Sequence, residues 1–282
     1  MITLSYNDTK AEISNIGAQL RSLKLKNIEY IWQPDKNIWN ESAPVLFPIC
    51  SGLKDDEYIY NGRTYHMQKH GFASSEVFTV ENKTDNSVTL LHMSNESIKA
   101  QYPFDYELRV IFTLSEAKLD VKYEVKNLSA ETMYFSIGAH EGYRLPYGLE
   151  NYEIKFSQRE TLYAYKVCGG VLSGEKKLIL KDNNILPLKY DYFTDDALIF
   201  KDLKSKSAVL KTNMSRRSIK VMFEGFDYFL VWTVPKADFV CIEPWCGITD
   251  NADHDKDITK KEGINALSPQ KTFFRSHSIE II

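Results

Sequence analysis

The feature that most constrains the fold is a strict alternation in the segment LDVKYEVK, residues 119–126. Leu119, Val121, Tyr123 and Val125 occupy every second position, and each position between them carries Asp, Lys or Glu. Because successive side chains of a β-strand point to opposite faces of a sheet, this period of two predicts a strand with one face in a core and the other in solvent.

Strand-like segments also stand on both sides of this one. YELRVIFTL precedes it and ETMYFSIGAH follows it, each after a turn-sized gap, and this spacing predicts a three-stranded antiparallel meander. The same texture recurs in SVTLLHM, DALIF, SAVLKT, SIKVMF and YFLVWTV, and the 17 Tyr and 15 Phe favour sheets. We therefore predict an all-β fold, a large antiparallel sandwich or barrel.

Strand signals continue from residue 2 to HSIEII at the end of the chain, and no Pro/Gly/Ser-rich linker interrupts them. Since all-β domains reach this length as one unit, we predict a single domain, 1–282. The sequence has no repeat of fixed period, which argues against a propeller.

Charge and composition narrow the class of partner. The formal net charge of -3 gives no general attraction to nucleic acid or to anionic lipid. The start MITLSYNDTKAEIS has neither the cationic residues nor the apolar run of a secretory signal, and no segment reaches the ~20 apolar residues that span a bilayer. We expect a cytoplasmic protein that binds neither nucleic acid nor membrane; its oligomeric state is not indicated.

Common metal and cofactor motifs are absent. The four cysteines form no CxxC pair or zinc pattern, which favours buried free thiols. Asp253, Asp255 and Asp257 alternate as in a calcium loop, but Ile258 stands where an EF-hand needs Gly and Ile264 where it needs Glu. Without a phosphate-binding glycine loop or a GxSxG elbow, the sequence predicts no metal, no cofactor and no serine nucleophile.

Three side chains remain as candidates for chemistry. Glu243 lies within DFVCIEPWCGITD, an otherwise apolar strand, where a carboxylate is either paired structurally or held for catalysis. His140 lies on the face opposite the apolar residues of MYFSIGAHEGY, beside the small residue Gly138. His70 precedes a glycine in MQKHGFA, and each histidine could equally be a structural one.

Six segments, taken together and in order, resemble the galactose mutarotase-like aldose 1-epimerases. They are ISNIGAQLRSLKLKNIEYIWQPD, APVLFPICSGLKDDEYIYNGRTYHMQKHGFA, YPFDYELRVIFTL, FSIGAHEGYRLP, FTDDALIF and CIEPWCGITD. The resemblance implies a large β-sandwich whose cleft interconverts the α and β anomers of a free sugar without a cofactor.

The resemblance also implies roles for individual residues. Glu243 of CIEPW resembles the general base, His140 of GAHEGY the general acid, and His70 of HGFA a second histidine that hydrogen-bonds the sugar. Opposite charges on Glu243 and His140 would hold both groups in their working protonation states. Asp196 of DDALIF resembles an aspartate that holds sugar hydroxyls, although Asp195 leaves the register open by one residue.

Two further residues are assigned to sugar binding: Trp245, two positions after Glu243, and Arg144, which follows HEGY. The chain departs from related sequences at Leu53 and Ser74, where others carry arginine. Loss of both guanidinium groups favours a neutral aldose over a hexose 6-phosphate.

The missing arginines could be replaced as contacts for an anionic group by another basic residue, namely Lys54, Arg63 or Arg144. A non-catalytic sugar-binding protein on the same scaffold is a further alternative. Retention of an acid and a base favours the enzyme, because binding alone would need neither.

Overall fold

Antiparallel β-strands make up most of the computed structural model, which describes residues 1–282. The strands are β1 Ile2–Tyr6, β2 Thr9–Ile13, β3 Leu20–Leu25, β4 Ile28–Glu29, β5 Glu57–Tyr60, β6 Arg63–His66, β7 Thr79–Lys83, β8 Ser87–Met93, β9 Tyr106–Ser115, β10 Lys118–Asn127, β11 Met133–Phe135, β12 Ile137–Gly138, β13 Glu141–Arg144, β14 Tyr152–Cys168, β15 Val171–Pro187, β16 Leu198–Lys201, β17 Ser207–Thr212, β18 Ser218–Met222, β19 Tyr228–Trp232, β20 Phe239–Cys246, β21 Asn265–Leu267 and β22 Thr272–Ile281. One α-helical turn, α1, spans Glu96–Lys99, and 3-10 turns span Lys54–Asp56, Ala73–Ser75, Leu149–Asn151, Tyr190–Phe193 and Ile258–Lys260.

The period-two pattern of the sequence becomes the hairpin β9–β10. Buried and partly buried residues alternate along both strands, and Tyr123 pairs with Val110 across them. The all-β antiparallel sandwich is therefore confirmed. The predicted third strand of the meander is wrong, because the second neighbour of β10 is the C-terminal strand β22.

The chain leaves the hairpin at Asn127. The side-chain amide of this residue donates to the carbonyl oxygens of Glu131 and Leu267, at 2.8 Å each. These bonds turn the segment after β10 away from the hairpin, and β11 then pairs with β21. The position beside β10 is left to β22, whose register places Val121 opposite His277.

The largest sheet runs in the order β12, β20, β19, β16, β14, β17, β18, β22, β10, β9, β8 and β7, with β13 also beside β20 and β15 beside β14. A smaller sheet, β1 to β4, packs against β9. One continuous core of buried apolar side chains joins them, from Leu4 in β1 to Ile281 in β22. No helix in the structure combines the length and apolar content needed to cross a bilayer.

Strand β20 has both of its faces covered, and all eight of its residues are buried. Val240, Ile242 and Cys246 belong to the main core. Because side chains alternate, the residues between them point the other way, so Glu243 and Trp245 share the second face. This second face is the floor of the candidate site.

Candidate active site

A cavity of about 350 Å³ opens over the second face of β20. Glu243 and Trp245 reach it from β20, and His70, His140 and Asp196 reach it from other parts of the chain. The structure therefore brings together five of the six side chains that the sequence indicated. They lie up to 175 positions apart, from His70 to Trp245, so only the folded chain makes them neighbours.

His140 and Glu243 form a buried pair at the floor of the cavity. His140 lies between β12 and β13, two short strands that pair in succession with the edge of β20 opposite β19. Its Nε2 is 3.3 Å from Oε2 of Glu243, and both side chains are almost fully buried. Its Nδ1 has no hydrogen-bond partner. Glu243 forms no ion pair with a lysine or an arginine, so its carboxyl group is left for His140 and for whatever enters the cavity.

His70 is held in a left-handed backbone conformation, with φ of 68°, followed by Gly71 at 71°. A side chain on Gly71 would lie 2.3 Å from the carbonyl oxygen of Phe47, so glycine is required there. The backbone N–H of Ser51 donates to Nδ1 of His70 at 3.1 Å. Because Nδ1 accepts, the neutral ring carries its proton on Nε2. His70 can therefore donate a hydrogen bond from Nε2.

Burial dominates the electrostatics of the histidine–glutamate pair. Burial raises the pKa of Glu243 well above its ordinary range, and Lys69 acts in the opposite direction. Burial lowers the pKa of His140 to about 3. The expectation that opposite charges hold both groups ionised is thus wrong for the two side chains by themselves, because desolvation disfavours each charged form. The pKa of His70 is also lowered well below its ordinary value, by burial and then by His140 and Lys69.

Three tryptophans supply flat apolar surface around the pair. The indole N–H of Trp245 donates to the carbonyl oxygen of Ala139 at 3.1 Å, which fixes the ring. Gly138 makes room for it, since a Cβ there would lie 2.5 Å from the indole. The rings of Trp39 and Trp232 lie 5.3 and 5.6 Å from the His140 ring. The sequence singled out only Trp245.

The sequence left open whether Asp195 or Asp196 faces the cavity. Asp196 lines the cavity and Asp195 does not. The structure does not bring Arg144 to the cavity, and its side chain is exposed. It pairs with Phe239 across β13 and β20. Phe239 is four residues from Glu243, or about 13 Å along an extended strand, so we leave Arg144 out of the site.

The other proposed anion contacts also lie elsewhere. Lys54 donates to the carbonyl oxygen of His254, and Arg63 stacks over Tyr65. Leu53 is buried in the main core, whereas Ser74 lines the cavity.

Lys69 is the one lysine in the cavity wall, which contains no arginine and also carries the carboxyl groups of Glu41, Asp196 and Glu243. Sequence reasoning missed Lys69, Glu41, Trp39 and Trp232, although Lys69 directly precedes His70 in MQKHGFA.

Two groups of side chains contain potential metal ligands. In the acidic loop, the carboxylates of Asp255 and Asp257 are paired with Lys260. In the cavity floor, donor atoms of His140, Cys241 and Glu243 lie within 4.8 Å of one another. Cys241 is one of three buried free thiols, while Cys168 is exposed.

Comparison with known proteins agrees with this architecture. The aldose 1-epimerase family model matches residues 1–261. Protein LacX of Lactococcus lactis subsp. lactis is 32% identical over 100% of this chain and 99% of its own length. A galactose mutarotase related enzyme from Lactobacillus acidophilus has a TM-score of 0.95 at 35% identity, covering 100% of this chain and 97% of its own.

A galactose mutarotase-like protein from Lactobacillus casei ATCC 334 has a TM-score of 0.96 at 30% identity, with both chains covered completely. The family model and these relatives each extend over most or all of the chain. The protein therefore belongs to the aldose 1-epimerase family.

Proposed function

We propose that this protein is a mutarotase that interconverts the α and β anomers of a neutral aldose by acid–base ring opening. The observation that carries the proposal is the His140–Glu243 pair, 3.3 Å apart at the floor of a cavity of about 350 Å³. That volume is at the small end of the range of ligand pockets, about 300–1,000 Å³, which favours one sugar ring over an oligosaccharide.

Ring opening of a hemiacetal needs a base at one oxygen and an acid at the other. Glu243 accepts the proton of the anomeric hydroxyl while His140 donates a proton to the ring oxygen, and the C1–O5 bond breaks. Rotation about C1–C2 followed by the reverse transfers closes the ring as the other anomer. The two transfers restore both groups, so the cycle consumes no proton and needs no cofactor.

The resting protonation state is compatible with this cycle. A carboxylate with an imidazolium holds the same single proton as a carboxylic acid with a neutral imidazole. Burial favours the neutral form of the pair, whereas Lys69 lowers the pKa of Glu243 and so favours the ionised form. A sugar hydroxyl that donates to Glu243 would act in the same direction as Lys69.

His70 and the tryptophans would orient the sugar. With Nδ1 occupied by the Ser51 N–H, His70 offers Nε2–H to a sugar oxygen and stabilises the negative charge that develops during opening. Trp39, Trp232 and Trp245 present flat faces to the apolar C–H groups of the ring. Asp196 would accept hydrogen bonds from hydroxyl groups.

The charge of the cavity favours a neutral substrate. Glu41, Asp196 and Glu243 line it with a single lysine, Lys69, and without arginine. A phosphate group would meet acidic side chains and would lack the guanidinium fork that usually binds it. A free aldose such as galactose or glucose is therefore the proposed substrate class.

The test is polarimetry or NMR exchange on freshly dissolved α-anomers of galactose, glucose and their 6-phosphates. We expect faster equilibration of the free sugars, with a higher kcat/KM than for the matching 6-phosphates and little change of this preference with salt. Sugar binding without faster mutarotation would instead indicate a non-catalytic binding protein. Faster turnover of a 6-phosphate would contradict the assignment of a neutral substrate.

A further inference from the structure

Three side chains with different donor atoms meet beneath the cavity. Cys241 and Glu243 are two residues apart on β20, so they point to the same face, and His140 reaches that face from the neighbouring strands. The Cys241 sulfur, a Glu243 oxygen and a His140 nitrogen all lie within 4.8 Å of one another. All three residues are buried, and Nδ1 of His140 has no partner.

This donor set has the chemistry of a zinc site. Zinc binds thiolate sulfur at about 2.3 Å and imidazole nitrogen at about 2.0 Å, which places the ligand atoms of a tetrahedron about 3.4–3.6 Å apart. His140 Nε2 and Glu243 Oε2 are already 3.3 Å apart. The other donor atoms lie within 4.8 Å of one another, so side-chain movements of about 1 Å would bring them to this spacing.

Charge balance also favours a divalent ion. A thiolate and a carboxylate together carry two negative charges, and a neutral imidazole adds none, so a bound Zn²⁺ leaves the buried cluster neutral. Thiolate and imidazole ligands favour zinc or cobalt over magnesium or calcium.

We propose that His140, Cys241 and Glu243 form a binding site for Zn²⁺ and chemically similar ions. The fourth position faces the cavity, where water would occupy it. An ion that enters through the cavity meets His140 and Glu243, and Cys241 lies behind them. The metal and the sugar then compete for the same two side chains, so Zn²⁺ is an inhibitor rather than a cofactor. Inhibition rests on the proposed mutarotase function, but metal binding does not.

The first experiment measures binding without any activity. Protein freed of metal by dialysis against a chelator is titrated with Co²⁺, and the near-ultraviolet thiolate-to-cobalt absorption is recorded before displacement by Zn²⁺. We expect this band in the wild type and its loss in Cys241→Ala, with an affinity for Zn²⁺ weakened on the order of 100-fold or more, since removing even an outer-shell partner costs about 10–100-fold.

Two cysteine variants serve as controls. Cys246→Ala removes a buried thiol from the same strand but from its opposite face, and Cys168→Ala removes the exposed thiol. Both should keep the band and the affinity. If Cys168→Ala abolishes the band, or the wild type shows none, the proposal is overturned. If Cys241→Ala fails to fold, weakened binding in Glu243→Gln and His140→Asn supports the site, and unchanged binding in both contradicts it.

The second experiment measures inhibition. We expect Zn²⁺ to raise the apparent KM for the sugar while kcat at saturation stays constant, and a chelator to reverse the effect. Mg²⁺ at the same concentration should have no effect. A lower kcat with unchanged KM would contradict competition at this site. A protein that shows the cobalt band but no mutarotation would retain the metal site and refute the proposed function.

Discussion

Two buried histidine–glutamate pairs lie on opposite sides of the segment where β13 begins. On the cavity face, His140 Nε2 is 3.3 Å from Glu243 Oε2. On the core face, His277 Nε2 is 2.8 Å from Glu141 Oε1, and the His277 ring stacks with Tyr123 at 5.8 Å. Glu141, the first residue of β13, directly follows His140, so consecutive residues of the chain belong to the two different pairs.

The difference shows that surroundings, not residue type, separate a candidate catalytic pair from a structural one. Both pairs consist of the same groups, and both are buried. The His140–Glu243 pair borders a cavity of about 350 Å³, whereas apolar side chains of the main core surround the other. A group next to a cavity can exchange protons with a ligand, and a group sealed in the core cannot. The comparison predicts that breaking the first pair costs mainly activity and breaking the second mainly stability.

The largest expected effect is on catalysis. Glu243→Gln or His140→Asn should each lower kcat by about 10²–10⁴, the usual contribution of a positioned proton-transfer group. Mutarotation is followed by polarimetry, and circular dichroism checks the fold. Near-wild-type turnover in either folded variant would refute the assigned roles.

The next effect is on stability. Glu141→Leu or His277→Leu should each lower the free energy of unfolding by about 3–5 kcal/mol, because the remaining partner is left buried without its hydrogen bond. The double variant should lose less than the sum of the two, which urea denaturation can measure as a coupling energy. The kcat of the folded fraction should fall far less than in Glu243→Gln. Single variants with the wild-type unfolding midpoint would show that the core pair contributes nothing.

A third prediction concerns acid stability. The unfolded chain protonates His140 near its ordinary pKa of 6.5, but the folded protein does so only near 3, so this group destabilises the fold as pH falls between those values. Glu243 affects stability in the opposite direction as pH falls. Its pKa is raised on folding, so protonation favours the folded state as pH falls from that raised pKa to the ordinary 4.5.

Urea denaturation at pH 7 and pH 5 tests both signs. His140→Asn should lose less stability on acidification than the wild type, and Glu243→Gln should lose more. If both variants lose less stability than the wild type on acidification, or both lose more, the assignment of opposite pKa shifts is contradicted. Glu141→Gln, which alters the core pair instead, is the matched comparison.

The smallest expected effect comes from Lys69 at the rim. Lys69 lowers the pKa of Glu243, so Lys69→Met should move the acidic limb of the kcat/KM profile to higher pH. The side chain is exposed, and such charges are worth about 0.2–1 kcal/mol, or less than about one pH unit. Lys83→Met, an exposed lysine of β7, should leave the profile unchanged. A shift to lower pH would contradict the role of Lys69.

Local patterns predicted the strands well where their side chains alternate. The hairpin β9–β10 follows directly from the period-two segments, since alternation is a property of neighbours in the chain. The pairing of β10 with β22 could not be predicted in the same way. It joins Val121 to His277, 156 positions apart, and no local pattern specifies such a partner.

By itself, the sequence determined the all-β class, the family through its six segments, and the identity of Glu243, His140, His70, Asp196 and Trp245 as candidates. Only the tertiary structure decided that these five line one cavity, that Arg144 lies outside it, and that Glu141 faces His277. It also placed Cys241 beside the pair and Lys69 at the rim. The reason is physical: alternation assigns a side chain to a face of a strand, but the strands that pair with it and the elements that cover that face decide whether the side chain meets a cavity or a sealed core.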